Sequence, residues 1–139
     1  MKSLSVKLGV ILIGLVIFTY VEVWGEDWKY IGETQGGVHY YDPTSITCPS
    51  KNIVRIWTKF VYSEKAVIDT VRESGSRFKN LKYNLILFEF NCSNKMIRSL
   101  SIAFYSKDGL IIEDIFKTSE WDYIPPESAM ETLRKAVCK

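Results

Sequence analysis

Alternation of apolar and polar residues dominates the chain beyond its N-terminal segment and predicts a mostly β structure. The two longest alternating segments, 84–92 and 96–105, are joined by a short polar turn, which predicts an antiparallel hairpin. A shorter hairpin is expected where Gly36 and Gly37 interrupt the alternation. The predicted strands are 28–33, 38–42, 53–62, 84–92, 96–105 and 110–116.

The fourth and fifth predicted strands each carry one apolar face, because side chains on a strand alternate between the two sides of a sheet. The residues that share a parity are Ile86, Phe88, Phe90 and Cys92 in the fourth strand, and Leu100, Ile102 and Phe104 in the fifth. We expect these two faces to lie side by side over a common core.

Helical spacing appears in two segments. Ser63 is a candidate N-cap for a short helix that Gly75 would end. Ser128 and Glu131 have the spacing of a capping box and predict a second helix from Ala129. The predicted fold class is therefore α+β: an antiparallel sheet of about six strands packed by a C-terminal helix, with a short helix before the fourth strand.

The N-terminus has the pattern of a secretory signal peptide, with basic residues followed by an apolar run over about 8–20. This run is shorter than the roughly 20 residues that a membrane-spanning helix needs. Val23 and Gly25 supply the small residues that precede a cleavage site, so residues 1–25 are predicted to be removed on export. The bulky Trp24 leaves an uncleaved N-terminal anchor open, and the absence of a nearby cysteine argues against a lipoprotein.

Residues 26–139 are long enough for a single domain with a core of its own. The formal charge of the whole chain is +2 at pH 7, and about +1 remains without residues 1–25. No strong net field therefore attracts nucleic acid, and neither an RNA-binding signature nor a GxGxxG loop is present. Neither nucleic acid nor a nucleotide is expected as a partner.

Three cysteines follow the predicted signal peptide, and in an oxidising compartment they are expected to form disulfides. Cys138 follows the C-terminal helix and Cys92 ends the apolar face that this helix would cover, so their pairing is favoured over Cys48 with Cys138, which stays open. The spare Cys48 is a candidate for linking two chains in a homodimer. Because no CxxC and no Cys/His cluster is present, neither a metal nor another cofactor is expected.

Catalytic sets are absent from the pattern, so no enzyme is predicted. His39, the only histidine, is interpreted as an ordinary strand residue, and its combination with a thiol matches no catalytic motif. Asp42 is expected to cap a turn. Glu89 is expected to pair across strands with Arg55 or Arg98 rather than to act in glycoside hydrolysis.

A basic cluster and several aromatic residues are the candidate binding surface. The members of the cluster are Arg72, Arg77, Lys79 and Lys82, and the aromatic residues are Tyr40, Tyr41 and Trp57. Such a cluster is either a solvent-exposed connecting segment, of which only a few apolar residues pack into the core, or a docking surface for an acidic protein or polysaccharide.

Motifs along nearly the whole predicted domain resemble those of the bacterial surface-adhesin protein E family. They are WKYIG at 28–32, YYDPTSI at 40–46, IVRIW at 53–57, FEFNC at 88–92, WDYIPPES at 121–128 and AVC at 136–138. The resemblance implies an antiparallel sheet backed by helix, a disulfide between Cys92 and Cys138, and export to the cell envelope.

The resemblance also implies a non-enzymatic protein that binds a protein or glycan at the cell surface, since the namesake adhesin is associated with binding host proteins. Function resides in surface sites rather than in the fold. A periplasmic structural or assembly factor without an adhesive role is therefore the alternative, and an enzyme is a more distant one.

Overall fold

A computed structural model describes residues 27–139. The predicted signal peptide and its cleavage site lie outside the described residues. The strands are β1 (Lys29–Thr34), β2 (Gly37–Tyr41), β3 (Thr47–Ser50), β4 (Ile53–Tyr62), β5 (Leu81–Asn91), β6 (Met96–Ser106), β7 (Ile111–Ile115) and β8 (Asp122–Tyr123). The α-helices are α1 (Glu64–Ser74) and α2 (Ala129–Val137), and two 3-10 helices span Pro43–Ser45 and Ser76–Phe78.

All strands form one antiparallel sheet in the order β1-β2-β4-β5-β6-β7, with β3 added to β4 and β8 added to β6. The α+β class and both predicted helices are confirmed, but the predicted count of six strands is wrong, because the sheet has eight. β3 was missed because it contains Pro49, which cannot donate to a ladder, and β8 because two residues show no alternation.

One side of the sheet, which we call the helix face, is packed by α2. Ile56 of β4 and Phe90 of β5 are fully buried against Leu133 of α2 and Ile124 of the segment before it. The structure joins Cys92, just after β5, to Cys138, just after α2, in a disulfide. Apolar burial and this covalent bond together hold the helix on the sheet.

A β-bulge interrupts the regular pairing of β6. Leu87 pairs with Ser101 and the next residue, Phe88, pairs with Ser99, so Leu100 is the extra residue of the bulge. Ile102 and Phe104 lie opposite Ile86 and Asn84, as the predicted alternation requires. Ile97 lies opposite Phe90 and also contributes to the core.

The far end of the helix face is covered by the second 3-10 helix. Its residue Phe78 is buried and packs edge-to-face on Phe104, with ring centroids 5.8 Å apart. Neighbouring Leu81 is fully buried as well. Since α2 lies over the other end of β5, the middle of the helix face is left as a groove between the two.

The helix caps follow the sequence closely. The Ser63 hydroxyl accepts a hydrogen bond from the Ala66 N–H, and Gly75 ends α1 with φ 108°. The Ser128 hydroxyl accepts from the Glu131 N–H at the start of α2. The Glu131 side chain does not complete the capping box as predicted, since its carboxylate binds Arg134 in a two-armed ion pair.

Candidate functional site

The side of the sheet opposite α2, which we call the second face, carries alternate residues of the three central strands. These residues are Arg55, Trp57 and Lys59 of β4, Leu85, Leu87 and Glu89 of β5, and Arg98, Ser101 and Ala103 of β6. Loop residues Trp28 and Trp121 contact this face at its two ends. The second face therefore combines cations and aromatic rings on a regular scaffold.

Three charged residues form one row across the second face. Glu89 lies in register with Arg55 on one side and with Arg98 on the other. The Arg55 Nε and Nη2 donate to Glu89 Oε2 at 3.0 and 2.8 Å, and Arg98 Nε donates to Glu89 Oε1 at 2.9 Å. The row holds two positive charges and one negative charge.

The row buries its carboxylate but not its guanidinium groups. Glu89 is 2% exposed, whereas the side chains of Arg55 and Arg98 are 40% and 32% exposed. Burial acts to raise the pKa of Glu89, but the hydrogen bonds and charges of the two arginines outweigh it and the pKa is lowered. The carboxylate therefore stays ionised at neutral pH and orients both guanidinium groups.

Aromatic rings flank the cations of the second face. The Arg98 guanidinium lies 4.3 Å from the centre of the Trp121 ring. The Lys59 Nζ lies 4.5 Å from the Tyr83 ring, which stacks on Tyr105 at 4.9 Å. Each contact is a cation–π or stacking interaction that fixes a charged or aromatic side chain in place.

Burial changes the titration of the Lys59 end of this surface. Burial lowers the pKa of Lys59, and the positive charge of Lys82 lowers it further. Burial raises the pKa of Tyr83, and the neighbouring Tyr105 adds to this effect. Tyr83 is therefore neutral at physiological pH, and its hydroxyl group can donate and accept hydrogen bonds.

The two candidate tyrosines of β2 are not brought together. Tyr40 packs edge-to-face on Tyr30 with ring centroids 6.3 Å apart, and it lies in register with Lys59 of β4. Tyr41 is packed against the core of the helix face. Adjacent residues of a strand point to opposite sides of a sheet, so the two rings belong to different surfaces.

The basic cluster is divided by its ion pairs. Arg72 of α1 lies 3.7 Å from Asp69, and Arg77 of the second 3-10 helix lies 2.9 Å from Glu113 of β7. Lys79 and Lys82 are exposed and appear in no ion pair of the described region. These two lysines retain most of the positive charge that the cluster offers to a partner.

The other polar candidates have structural contacts. The Asp42 carboxylate accepts from the N–H and hydroxyl of Thr44, which confirms its predicted role as a turn cap. His39 lies half-buried on the helix face, 4.5 Å from the Phe60 ring between centroids. Cys48 is exposed in β3. Within residues 27–139 no group of His, Cys, Asp or Glu has the arrangement of a metal site.

Several residues of the second face were missed as candidates, although part of the signal was present. Arg55 and Lys59 share one parity of β4 with the candidate Trp57, which places all three on one side of the strand. Trp28 and Trp121 lie outside the central strands, so no periodicity connects them to this face. Only the folding of the flanking segments places the two rings beside the cations.

The sequence matches the family model of surface-adhesin protein E over residues 28–139. The chain belongs to this family. The resemblance carried by its motifs is thereby confirmed.

No curated protein sequence matches the chain. Within the described residues, neither helix is long and apolar enough to cross a membrane.

Solved structures of Haemophilus influenzae protein E have a similar fold. One is 15% identical with a TM-score of 0.55 and covers 81% of this chain and 84% of that chain. A second structure, of crystal form II, is 15% identical with a TM-score of 0.56 and covers 81% of this chain and 87% of that chain. The structure of a selenomethionine form is 18% identical with a TM-score of 0.53 and covers 78% of this chain and 84% of that chain. At this identity the likeness shows the fold alone.

Proposed function

We propose that this protein is an exported, non-enzymatic adhesin domain that binds an acidic protein or glycan at the cell surface through the second face of its sheet. The observation that carries this proposal is the row of Arg55, Glu89 and Arg98 with Trp121 stacked at its end. Membership of the surface-adhesin protein E family supports the adhesive role and the export.

The chemistry of the row favours an anionic partner. Each guanidinium is partly exposed and is already oriented by Glu89. Binding a carboxylate or sulfate therefore costs little additional conformational entropy in the two arginine side chains. Arginine and tryptophan are enriched among the interface residues that contribute most of the binding energy. The row presents both residue types, as partly buried arginines beside a tryptophan. Aromatic rings also offer flat apolar contact to a sugar or to an aliphatic side chain.

The exposed lysines of the basic cluster extend this surface in the proposal. The pKa of Lys59 on the second face responds to the charge of Lys82, so the two lysines contribute to one positive field. Arg72 and Arg77 are the weaker contributors, because each already has an acidic neighbour. We infer that Lys79 and Lys82 assist the approach of the partner, while Arg55 and Arg98 hold it.

Binding of intact producing cells to immobilised acidic proteins and sulfated glycans tests the proposal. The double variant Arg98→Gln with Trp121→Ala should reduce binding at least about tenfold, because it removes one guanidinium and its stacking partner. A matched control is Lys117→Gln with Phe116→Ala, which removes one cation and one exposed aromatic ring that are not part of the row. Equal binding by the two double variants would contradict the role of the second face.

The basic cluster is tested separately. Replacing Lys79 and Lys82 by glutamine should slow association and weaken its dependence on salt, whereas replacing Lys135 and Lys139, which are exposed at the end of α2, should change neither. Unchanged association kinetics in the Lys79 and Lys82 variant would remove the cluster from the proposal.

Location is tested with a protease that cannot enter intact cells. The proposal expects digestion of the protein while a periplasmic control stays intact. Protection until the outer envelope is opened would contradict surface binding and favour a periplasmic role.

A further inference from the structure

The two edges of the sheet differ in how well they are covered. β1 forms one edge, carries a bulge between Tyr30 and Gly32, and is contacted by α2. β7 forms the other edge and pairs only with β6. Its residues 113–115 pair regularly with that strand. A bulge and a covering helix block the addition of a further strand, so β1 is protected and β7 is not.

The outer side of β7 carries backbone groups without a partner strand. In an antiparallel ladder, alternate residues direct their N–H and C=O groups to the neighbouring strand, and the residues between them direct theirs away from it. No backbone hydrogen bond outside the ladder involves residues 111–116 within the described part of the chain. A row of such outward groups is a template for one more strand.

Exposed apolar side chains are concentrated along the same edge. Leu110, Ile111, Ile115 and Phe116 are 68%, 56%, 40% and 81% exposed. They are four of the eight large hydrophobic residues that are exposed in the described region. Single exposed apolar residues are ordinary, but a group of them beside unpaired backbone indicates an interaction site.

The charges of β7 determine which kind of strand fits. Glu113 and Asp114 lie within the strand, which contains no basic residue. Arg77 already holds Glu113 at 2.9 Å, whereas Asp114 is exposed and appears in no ion pair of residues 27–139. Opposite charges on neighbouring strands stabilise their pairing, so a basic residue beside Asp114 would favour an added strand.

A second copy of this chain fits the edge poorly. Antiparallel pairing of β7 with β7 over its full length would place Glu113 opposite Glu113. Like charges directly opposite each other destabilise a strand pair. The acidic residues therefore act against self-pairing, and the occupant that the edge favours has a different, basic sequence.

We propose that β7 is a second binding site, at which an extended segment of another protein adds a strand to the sheet. The segment alternates apolar residues, which contact the exposed side chains of β7, with basic residues that reach Asp114. This site does not depend on the proposed adhesive surface. That surface attracts anions on the central strands, whereas β7 attracts cations at the edge, so either proposal can fail without the other.

The test uses a heptapeptide in which valine alternates with lysine. It is titrated into the isotope-labelled protein purified from its producing cell, and amide chemical shifts and hydrogen exchange are followed. The peptide should shift the resonances of β7 saturably and slow the exchange of β7 amides, while the exchange of β1 amides stays unchanged.

Two further peptides separate charge from backbone pairing. Replacing each lysine by glutamate should weaken binding at least about tenfold, because attraction to Asp114 becomes repulsion. Methylating every backbone nitrogen of the lysine peptide should abolish binding, because the charge remains but the peptide can no longer donate to a ladder.

Reversing one charge locates the site. Asp114→Lys should invert the preference, so that the glutamate peptide binds more tightly than the lysine peptide. Asp122→Lys is the matched control, because Asp122 is an exposed aspartate in β8, which pairs with the same edge of β6. This control should keep the preference of the unaltered protein. Both positions are exposed, and the amide spectra verify that each variant is folded.

Several results would overturn the proposal. They are the absence of saturable shifts up to about 1 mM lysine peptide, equal affinity for the lysine and glutamate peptides, undiminished binding of the methylated peptide, and an unaltered preference in Asp114→Lys. Slower exchange at β1 rather than β7 would place the peptide on the wrong edge. Self-association that protects β7 amides without any peptide would show that a second copy is the occupant.

Discussion

Glu89 is a charged residue placed where almost no solvent reaches it, and its two arginine neighbours make that position tolerable. Removing one member of a buried charge group leaves the others without compensation. At Glu89 the effect is moderated because both guanidinium groups retain contact with water.

Glu89→Gln is expected to lower the free energy of unfolding by about 2 kcal/mol at neutral pH, because it weakens three charge-assisted hydrogen bonds. The pKa of Glu89 is lowered in the folded protein, so this contribution is complete above the unfolded pKa of about 4.3 and is lost as pH falls through the folded pKa. Urea unfolding at neutral and acidic pH measures it. The control is Glu113→Gln, which removes a single ion pair; equal losses in the two variants would contradict the special role of the row.

His39 should make stability depend on pH in a range that begins at a higher pH than the range of Glu89. Burial lowers its pKa below the unfolded value of about 6.5, so the unfolded chain binds more protons between these two pKa values. Stability should therefore decrease as pH falls through this window. His39→Gln should remove that decrease, which begins as pH falls through about 6.5 and is measured by urea unfolding. Since His39 is the only histidine, a single imidazole titration by NMR gives its pKa directly, and a value above 6.5 would refute the argument.

At the scale of elements, the β1–β2 hairpin depends on one glycine. Gly37 has φ 150°, and a Cβ added there would lie 2.0 Å from the Val61 carbonyl oxygen of β4. A side chain at this position would therefore push β2 away from its partner strand. The sequence pattern locates the turn, but only the packed sheet reveals this close approach.

Gly37→Ala is expected to lower the free energy of unfolding by more than about 2 kcal/mol, from backbone strain and displacement of β4. Gly32→Ala is the matched control in the same hairpin, because a Cβ there meets no atom within 4 Å. Its effect should stay within about 1 kcal/mol. Thermal and urea unfolding compare the two variants, and similar losses would show that the contact with Val61 does not limit position 37.

The attachment of α2 to the sheet is the second feature at this scale. Replacing Cys92 and Cys138 together by alanine should lower stability by up to about 4 kcal/mol, since the disulfide closes a loop with a sequence separation of 46 residues. Cys48→Ala should change stability by less than about 0.5 kcal/mol, because this cysteine is exposed. Calorimetry of the three proteins checks this, and a double variant as stable as the parent would mean that apolar packing alone holds α2.

At the scale of the whole molecule, the sheet separates two surfaces with different chemistry. The helix face carries the core, the disulfide-anchored α2 and the groove between α2 and the second 3-10 helix. The second face carries paired arginines, a lysine and aromatic rings. This separation follows from strand alternation, because neighbouring residues of β4 and β5 necessarily point to opposite sides.

The exposed Cys48 bears on the assembly of the molecule. Two chains can be linked through it in an oxidising compartment, because the other two cysteines are already joined. A reducible dimer is expected on a non-reducing gel, and Cys48→Ser should abolish it. A monomer whose thiol titrates fully after oxidation would contradict the covalent homodimer.

Sequence pattern by itself determined the local features of this protein. Strand alternation, the caps Ser63, Asp42 and Ser128, the glycine turn and the α+β class follow from interactions within a few residues, so they can be predicted without a partner strand. The pairing of Glu89 with Arg55 or Arg98 could also be predicted, since parity and strand order place them together. The sequence did not show that both arginines bind Glu89 at once.

Only the tertiary structure decided the remaining features. The bulge at Leu100, the short strands β3 and β8, the separation of Tyr40 from Tyr41 and the positions of Trp28 and Trp121 depend on contacts between distant segments. The groove on the helix face arises because α2 and the second 3-10 helix stop short of each other over the sheet. Such features are set by how whole elements pack, and the free energy of packing is not encoded in the periodicity of any single segment.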